Sequence, residues 1–197
     1  MEELTVFPDS PVTGAGVISQ KFLELGIHTF HAACRYVHQL PYGYNSDRDD
    51  LLSLFKEGLG TCTTKHAVIG TLAAELDIPI EKNIGIYRMT EQIVTGTVAI
   101  LEKYDLPYVP MLHCFLVYDR YRVDLTEGNN NGKKCAIDEF LHTEKVIPNI
   151  AGKDEYLLYR KALKERILPL EALKGADMKR VLRAREEGLI LLKAHLK

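Results

Sequence analysis

The chain has 197 residues, 46% hydrophobic and 26% charged, a balance typical of a globular protein long enough to bury a core without covalent staples. Its formal net charge of -2 and pI near 6.4 exclude an overall basic field for nucleic acid or anionic lipid. Cys34, Cys62, Cys114 and Cys135 form no C-x-x-C pair and match no zinc template, the opening MEELTVFPDS lacks the basic and apolar regions of a secretion signal, and no apolar run is of membrane-spanning length. Free thiols in a cytoplasmic setting are therefore expected, with no metal, no other cofactor, and no nucleic-acid or membrane partner.

Residues 1–18, punctuated by Pro8, Pro11, Gly14 and Gly16, read as an irregular lead-in. From Ser19 onward, Phe22, Leu25, Thr29, Ala33, Tyr36, Val37 and Leu40 recur at three- and four-residue steps, which predicts one amphipathic helix ending near Pro41. A turn-rich loop over 41–50 leads to a short helix over 50–57, stopped by Gly58. The stretch Gly58-Leu59-Gly60-Thr61-Cys62-Thr63-Thr64-Lys65 then opens a helical pattern through Val68, Ile69, Leu72, Ala73 and Leu76. Thr61 is its N-cap, and Asp77 and Pro79 end it. Ile80–Met89 alternates as a strand, and 98–104 reads as a short helix before Pro107 and Pro110. Two strands, 112–118 and 120–125, meet in a tight turn near Tyr118-Asp119, and the Asn- and Gly-rich 127–134 is a loop. The last third is helical, with one helix spaced by Tyr156, Leu157, Leu163 and Ile167. A longer, charged helix carries Met178, Val181, Leu182, Leu189 and Leu192. This order predicts an α+β domain with antiparallel strands over 1–153, and a helical C-terminal extension over 154–197 packed on it.

Cys62 stands at a predicted helix start directly after a Gly-x-Gly turn. The free N–H groups of a first helical turn favour thiolate over thiol and can hold the oxyanion of a tetrahedral intermediate. Glycine beside it lets a substrate backbone approach. Lys65, one turn on, adds positive charge if it folds back. Two other readings remain open from these residues: a small buried apolar cysteine, and a phosphate cradle made by 58–65.

If the hairpin turns at Tyr118-Asp119, cross-strand partners sum to 237. Val117 then faces Arg120, Phe115 faces Arg122, and His113 faces Asp124, all on one side of the sheet. A carboxylate on one imidazole nitrogen leaves the other free for a thiol, although a His-Asp pair also serves simply to staple a hairpin. Tyr42, Tyr44, Tyr104 and Tyr108 read as packing residues or as walls of a cleft. A metal site from His113, Cys114, Cys135 and His142 fits no ligand spacing.

Gly60-Thr61-Cys62, the leucine-bearing helix that ends in Leu76, Ile78 and Pro79, His113 with Phe115, and Val123-Asp124-Leu125-Thr126 together resemble the three motifs of the transglutaminase-like superfamily, in order. Cys62 to Pro79 is seventeen residues, the spacing of that signature. Tyr36-Val37 and Leu40-Pro41-Tyr42 are similar to the segment that precedes the cysteine in bacterial members. The resemblance covers roughly 30–126. It implies a papain-like α+β core, with the nucleophile helix packed on an antiparallel sheet. It also implies a triad of Cys62 as nucleophile, His113 as base and Asp124 as orienting carboxylate, forming an acyl-thioester on a peptide or amide-containing substrate. The chain departs from the pattern in five ways. The hairpin from His113 to Asp124 is short, by an even number of residues, and the stretch 90–110 is longer than in minimal members. Asp77 replaces a glycine, His66 stands where a small residue is common, and the absence of tryptophan removes an aromatic oxyanion donor. Tyr36 or Gln39, with the backbone of Gly60 and Thr61, are the substitutes for oxyanion or substrate binding. Amide hydrolysis is favoured, with an acyltransferase and a non-catalytic binding scaffold as the alternatives.

Overall fold

The computed structural model describes residues 2–196. It is a mixed α+β chain whose four strands form one antiparallel sheet in the order β3-β2-β1-β4, with β1 Ile80–Met89, β2 Val109–Tyr118, β3 Tyr121–Val123 and β4 His142–Val146. The helices are α1 Val17–Glu24, α2 Phe30–Gln39, α3 Ser53–Glu57, α4 Cys62–Glu75, α5 Thr97–Tyr104, α6 Gly152–Ala162 and α7 Met178–Ala194. The chain divides into two compact units. The first holds the residues up to Ile84 with Cys114–Asn129 and Lys145–Ala151. The second holds Gly85–His113, Asn130–Glu144 and the residues from Gly152 onward.

In the first unit α4 packs against both α1 and α2. Its residues from Thr64 to Gly70 are buried without a break, so this helix is covered on all sides and carries little amphipathic signal. Phe22, Phe30, Val37, Leu54, Val68, Ile69, Leu72, Leu116, Val123 and Leu125 fill the core around it. The lead-in is more ordered than its prolines and glycines suggest. Glu2–Val6 is a 3-10 helix, and Leu4, Phe7 and Val12 are buried in this same core.

The single helix expected between Ser19 and Pro41 is two helices. Gly26 takes φ +72°, a left-handed conformation open to glycine, and Thr29 restarts the chain as an N-cap whose side chain accepts from the Ala32 amide at 3.3 Å. The N-cap of α1 is Gly16, which has no capping side chain. Glu75 supplies one from the end of α4, its carboxylate accepting from the amides of Ile18 at 3.0 Å and Ser19 at 2.6 Å. A Cβ at residue 16 would fall 2.2 Å from that carboxyl carbon, so any side chain there would displace the Glu75 cap.

The β2–β3 hairpin is shifted by two residues from the sequence expectation. Leu116 pairs with Val123, Val117 with Arg122 and Tyr118 with Tyr121, so partners sum to 239 and the loop is Asp119-Arg120. Asp119 adopts φ +54°, which its short polar side chain tolerates, and this places the turn one residue later. The direct His113–Asp124 pairing is thereby lost. The shift is even, so the alternation of faces is kept, and β3 ends at Val123, one residue before Asp124.

In the second unit α5 packs on α7. Tyr87, Met89, Val109, Met111, Tyr159, Leu163, Ile167, Val181 and Ala184 form its core. The last turn of α6 widens to a π-type turn over Leu163–Ile167. The Tyr159 hydroxyl donates to the Pro110 carbonyl at 2.7 Å, and the Arg185 guanidinium lies 4.8 Å from the centre of the Tyr159 ring.

Candidate active site

Cys62 is the first residue of α4 and is 7% exposed. Thr61 is the N-cap, with extended backbone (φ -83°, ψ 176°), and the Thr64 hydroxyl folds back to accept the Thr61 N–H at 3.0 Å. This return bond holds the first turn, whose amides point past the cysteine. Gly60 is wedged tightly. A Cβ there would meet the Thr64 hydroxyl at 2.8 Å and Leu54 at 3.0 Å, and the Gly60 amide donates to the Pro41 carbonyl at 3.1 Å. The bridge between Tyr42 and Gly60 brings the 41–45 turn alongside, and the Tyr42 hydroxyl donates to the Cys62 sulfur at 3.9 Å. Burial pushes the Tyr42 phenol well above its ordinary value, and a neighbouring Cys62 charge adds to the rise. Tyr42 therefore stays a donor at any physiological pH. From the sequence Tyr42 reads as a packing residue or the wall of a cleft; the bridge to Gly60 and the bond to the sulfur leave no mark in the pattern.

Asp124 follows β3. One of its carboxylate oxygens accepts from the Thr126 amide at 2.8 Å and from the Thr126 hydroxyl at 2.7 Å. The D-x-T pattern thus has a local meaning: the threonine two residues on locks the carboxylate rotamer.

His66, one turn into α4 and 0% exposed, lies between the two. Its Nδ1 is 2.6 Å from the Cys62 carbonyl, its Nε2 accepts from the Leu125 amide at 2.8 Å, and Nε2 is 3.4 Å from the Asp124 carboxylate. Both ring nitrogens serve backbone groups. His66 is also the histidine that lies closest to Cys62 in sequence.

Lys65 does not fold back over Cys62. Its ammonium, 0% exposed, runs to the C-terminal end of α2, where it donates to the carbonyls of His38 at 3.2 Å and of Leu40, and to the Asn129 side-chain oxygen at 3.0 Å. The Asn129 amide donates to the same two carbonyls, at 2.6 Å and 3.0 Å. The His38 ring nitrogen Nδ1 meets the Leu125 carbonyl at 3.1 Å. Together these bonds tie the segment after β3 to α2. Burial lowers the Lys65 pKa to about 8, with the Asp124 charge opposing that fall.

The remaining candidates have the following surroundings. His113 lies in β2 within the second unit, 2% exposed, its ring edge-on to Tyr87 with centroids 6.4 Å apart. Tyr36 belongs to an aromatic cluster, stacked on Phe55 at 6.4 Å and edge-on to Phe22 at 6.1 Å. Gln39 ends α2 with an exposed side chain. Cys114 is buried, its sulfur 3.7 Å from the Thr63 hydroxyl, and Cys135 is exposed. Among the described residues, no group of three or more His, Cys, Asp or Glu is placed to hold a metal ion, and no helix is long and apolar enough to cross a membrane. No family model, no curated protein and no solved structure matches the chain.

Proposed function

We propose that the chain is a transglutaminase-like cysteine hydrolase of amidase or peptidase type, built on a papain-like arrangement of nucleophile helix and sheet. The observation that carries this reading is the setting of Cys62. It is a thiol at the first position of α4, with the Tyr42 hydroxyl donating toward its sulfur at 3.9 Å. The helix N-terminus and the phenol both favour a negatively charged sulfur. The resemblance adds the other two roles. His113 takes the thiol proton as base, and Asp124 fixes the imidazole tautomer. The thiolate attacks the amide carbonyl to form a C–S bond, and the first-turn amides receive the oxyanion. Collapse breaks the C–N bond, with the proton held by His113 passing to the leaving amine. Water then cleaves the thioester, giving the carboxylic acid and the free thiol. Such chemistry belongs in a reducing compartment such as the cytoplasm, where Cys62 stays free.

Alkylation tests the reading. Iodoacetamide is added near neutral pH and the modified cysteines are mapped by mass spectrometry. Exposure alone favours Cys135. The expected result is that buried Cys62 reacts first. If Cys135 reacts faster than Cys62, the activated nucleophile is lost, and a binding scaffold takes its place.

A further inference from the structure

We propose that His66 is a positioning residue, a neutral imidazole strut that sets the separation between the Cys62 turn and the Asp124 segment; the proposal rests on the reading of Cys62 and Asp124 given above. The tautomer follows from its two backbone partners. The Leu125 N–H can only donate, so the Nε2 that it meets at 2.8 Å carries a lone pair. The Cys62 carbonyl can only accept, so the Nδ1 at 2.6 Å carries the proton. A ring with one nitrogen of each kind is the neutral form, and a buried site favours it.

The ring therefore links the backbone of residue 62 to that of residue 125 in a single rigid body. The two residues are 63 positions apart, and the ring adds a direct link between them to the shared core of Val68, Ile69, Val123 and Leu125. The imidazole is planar and short, and its helix position is itself held by the ladder of α4, so the strut has little freedom. Its Nε2 lone pair lies 3.4 Å from the Asp124 oxygen. That pairing offers no hydrogen bond in the neutral form, and the same carboxylate accepts two bonds from Thr126. Protonation of His66 would place an N–H against the Leu125 N–H and offer a competing donor to Asp124. Cys62 and Asp124 are titratable groups beside this ring, and Lys65 interacts with the Asp124 charge.

The test has two parts. Imidazole 15N spectra of the intact chain report the tautomer directly. A protonated Nδ1 with a bare Nε2 is expected at neutral pH, and a proton on Nε2 would overturn the proposal without any variant. In parallel, Cys62 alkylation is timed in His66→Gln, whose amide offers one donor and one acceptor at similar separation, and in His66→Phe, which offers neither. Gln is expected to keep the wild-type rate within about threefold and Phe to lose at least about tenfold, with both variants checked for native circular dichroism. If His66→Phe is folded and reacts at the wild-type rate, the strut plays no positioning part. If His66→Phe does not fold, the 15N result and the Gln variant decide, and a Gln variant that is folded yet at least about tenfold slower than wild type overturns the proposal. Wild-type Cys62 slower than Cys135 marks instead the failure of the underlying hydrolase reading, whatever the tautomer.

Discussion

Thr126 donates twice to one oxygen of Asp124, from its amide at 2.8 Å and from its hydroxyl at 2.7 Å. The hydroxyl bond is charge-assisted and fully buried at the threonine end. Thr126→Val keeps the shape and the amide bond but removes the hydroxyl donor. Stability in urea unfolding is expected to drop by about 1–2 kcal/mol, and Cys62-dependent turnover by about tenfold. A stability loss with unchanged Cys62 chemistry would reduce Asp124 to a structural role.

Tyr42→Phe removes the hydroxyl 3.9 Å from the Cys62 sulfur and leaves the ring in place. If the phenol stabilises the charged sulfur, the pH profile of Cys62 alkylation moves upward by as much as about one pH unit. An unmoved profile would show that the helix terminus alone activates the thiol.

Lys65 gives a pH signature in stability. Its folded pKa of about 8 lies below the ordinary value of 10.5, so the folded chain releases this proton first. The unfolded chain holds more protons between those two values, and the stability contributed by this group rises with pH across that window. Below pH 8 the buried charge is a cost. The difference in unfolding free energy between wild type and Lys65→Met is expected to shift toward wild type from pH 8 to pH 10, by no more than about 3 kcal/mol. Chemical denaturation at several pH values reads it, and a flat difference contradicts burial as the controlling influence.

Gly85 in the second unit is covered by Phe140. A Cβ at residue 85 would fall 2.3 Å from ring atom Cδ1 and 2.5 Å from Cε1, and the next residue of that segment is pinned by the Leu141 amide on the Ile86 carbonyl at 2.7 Å. Gly85→Ala is expected to cost about 1–3 kcal/mol by displacing the ring. Thermal unfolding of the variant at the wild-type midpoint would mean that Phe140 swings aside freely.

How much of this was legible in the sequence depended on how local the cause was. α3 with Gly58, α4 from Cys62, β1 and α5 follow from caps, glycines and periodicity within a few residues, and the structure places them within two or three residues of those signals. The break between α1 and α2 was also written locally, in Gly26 and Thr29, but the apolar spacing across it was regular enough to mask both. β4, His142–Val146, has alternating exposure yet only one apolar residue, and its pairing rather than its composition makes it a strand. The hairpin slipped by two because an aspartate in the left-handed region defines the loop, and no Asn-Gly or Asp-Gly marked it. Within the site, Cys62 and the Asp124–Thr126 pair were readable as motifs. The bonds of Tyr42, His66, Lys65 and Asn129 were not, because they reach a sulfur, for Tyr42, or backbone groups, for the other three, on segments distant in sequence, and a pattern of side chains carries no trace of them.

The carbonyls of His38 and Leu40 at the end of α2 are occupied by side chains 25 and more positions downstream. That terminus is thus not self-sufficient. A synthetic peptide of residues 28–41 would lack every one of those donors and should fray from its final turn, while its Thr29 end remains intact. The excised segment would reveal, in its asymmetric melting, which half of a helix is written in its own letters and which half is borrowed from the rest of the chain.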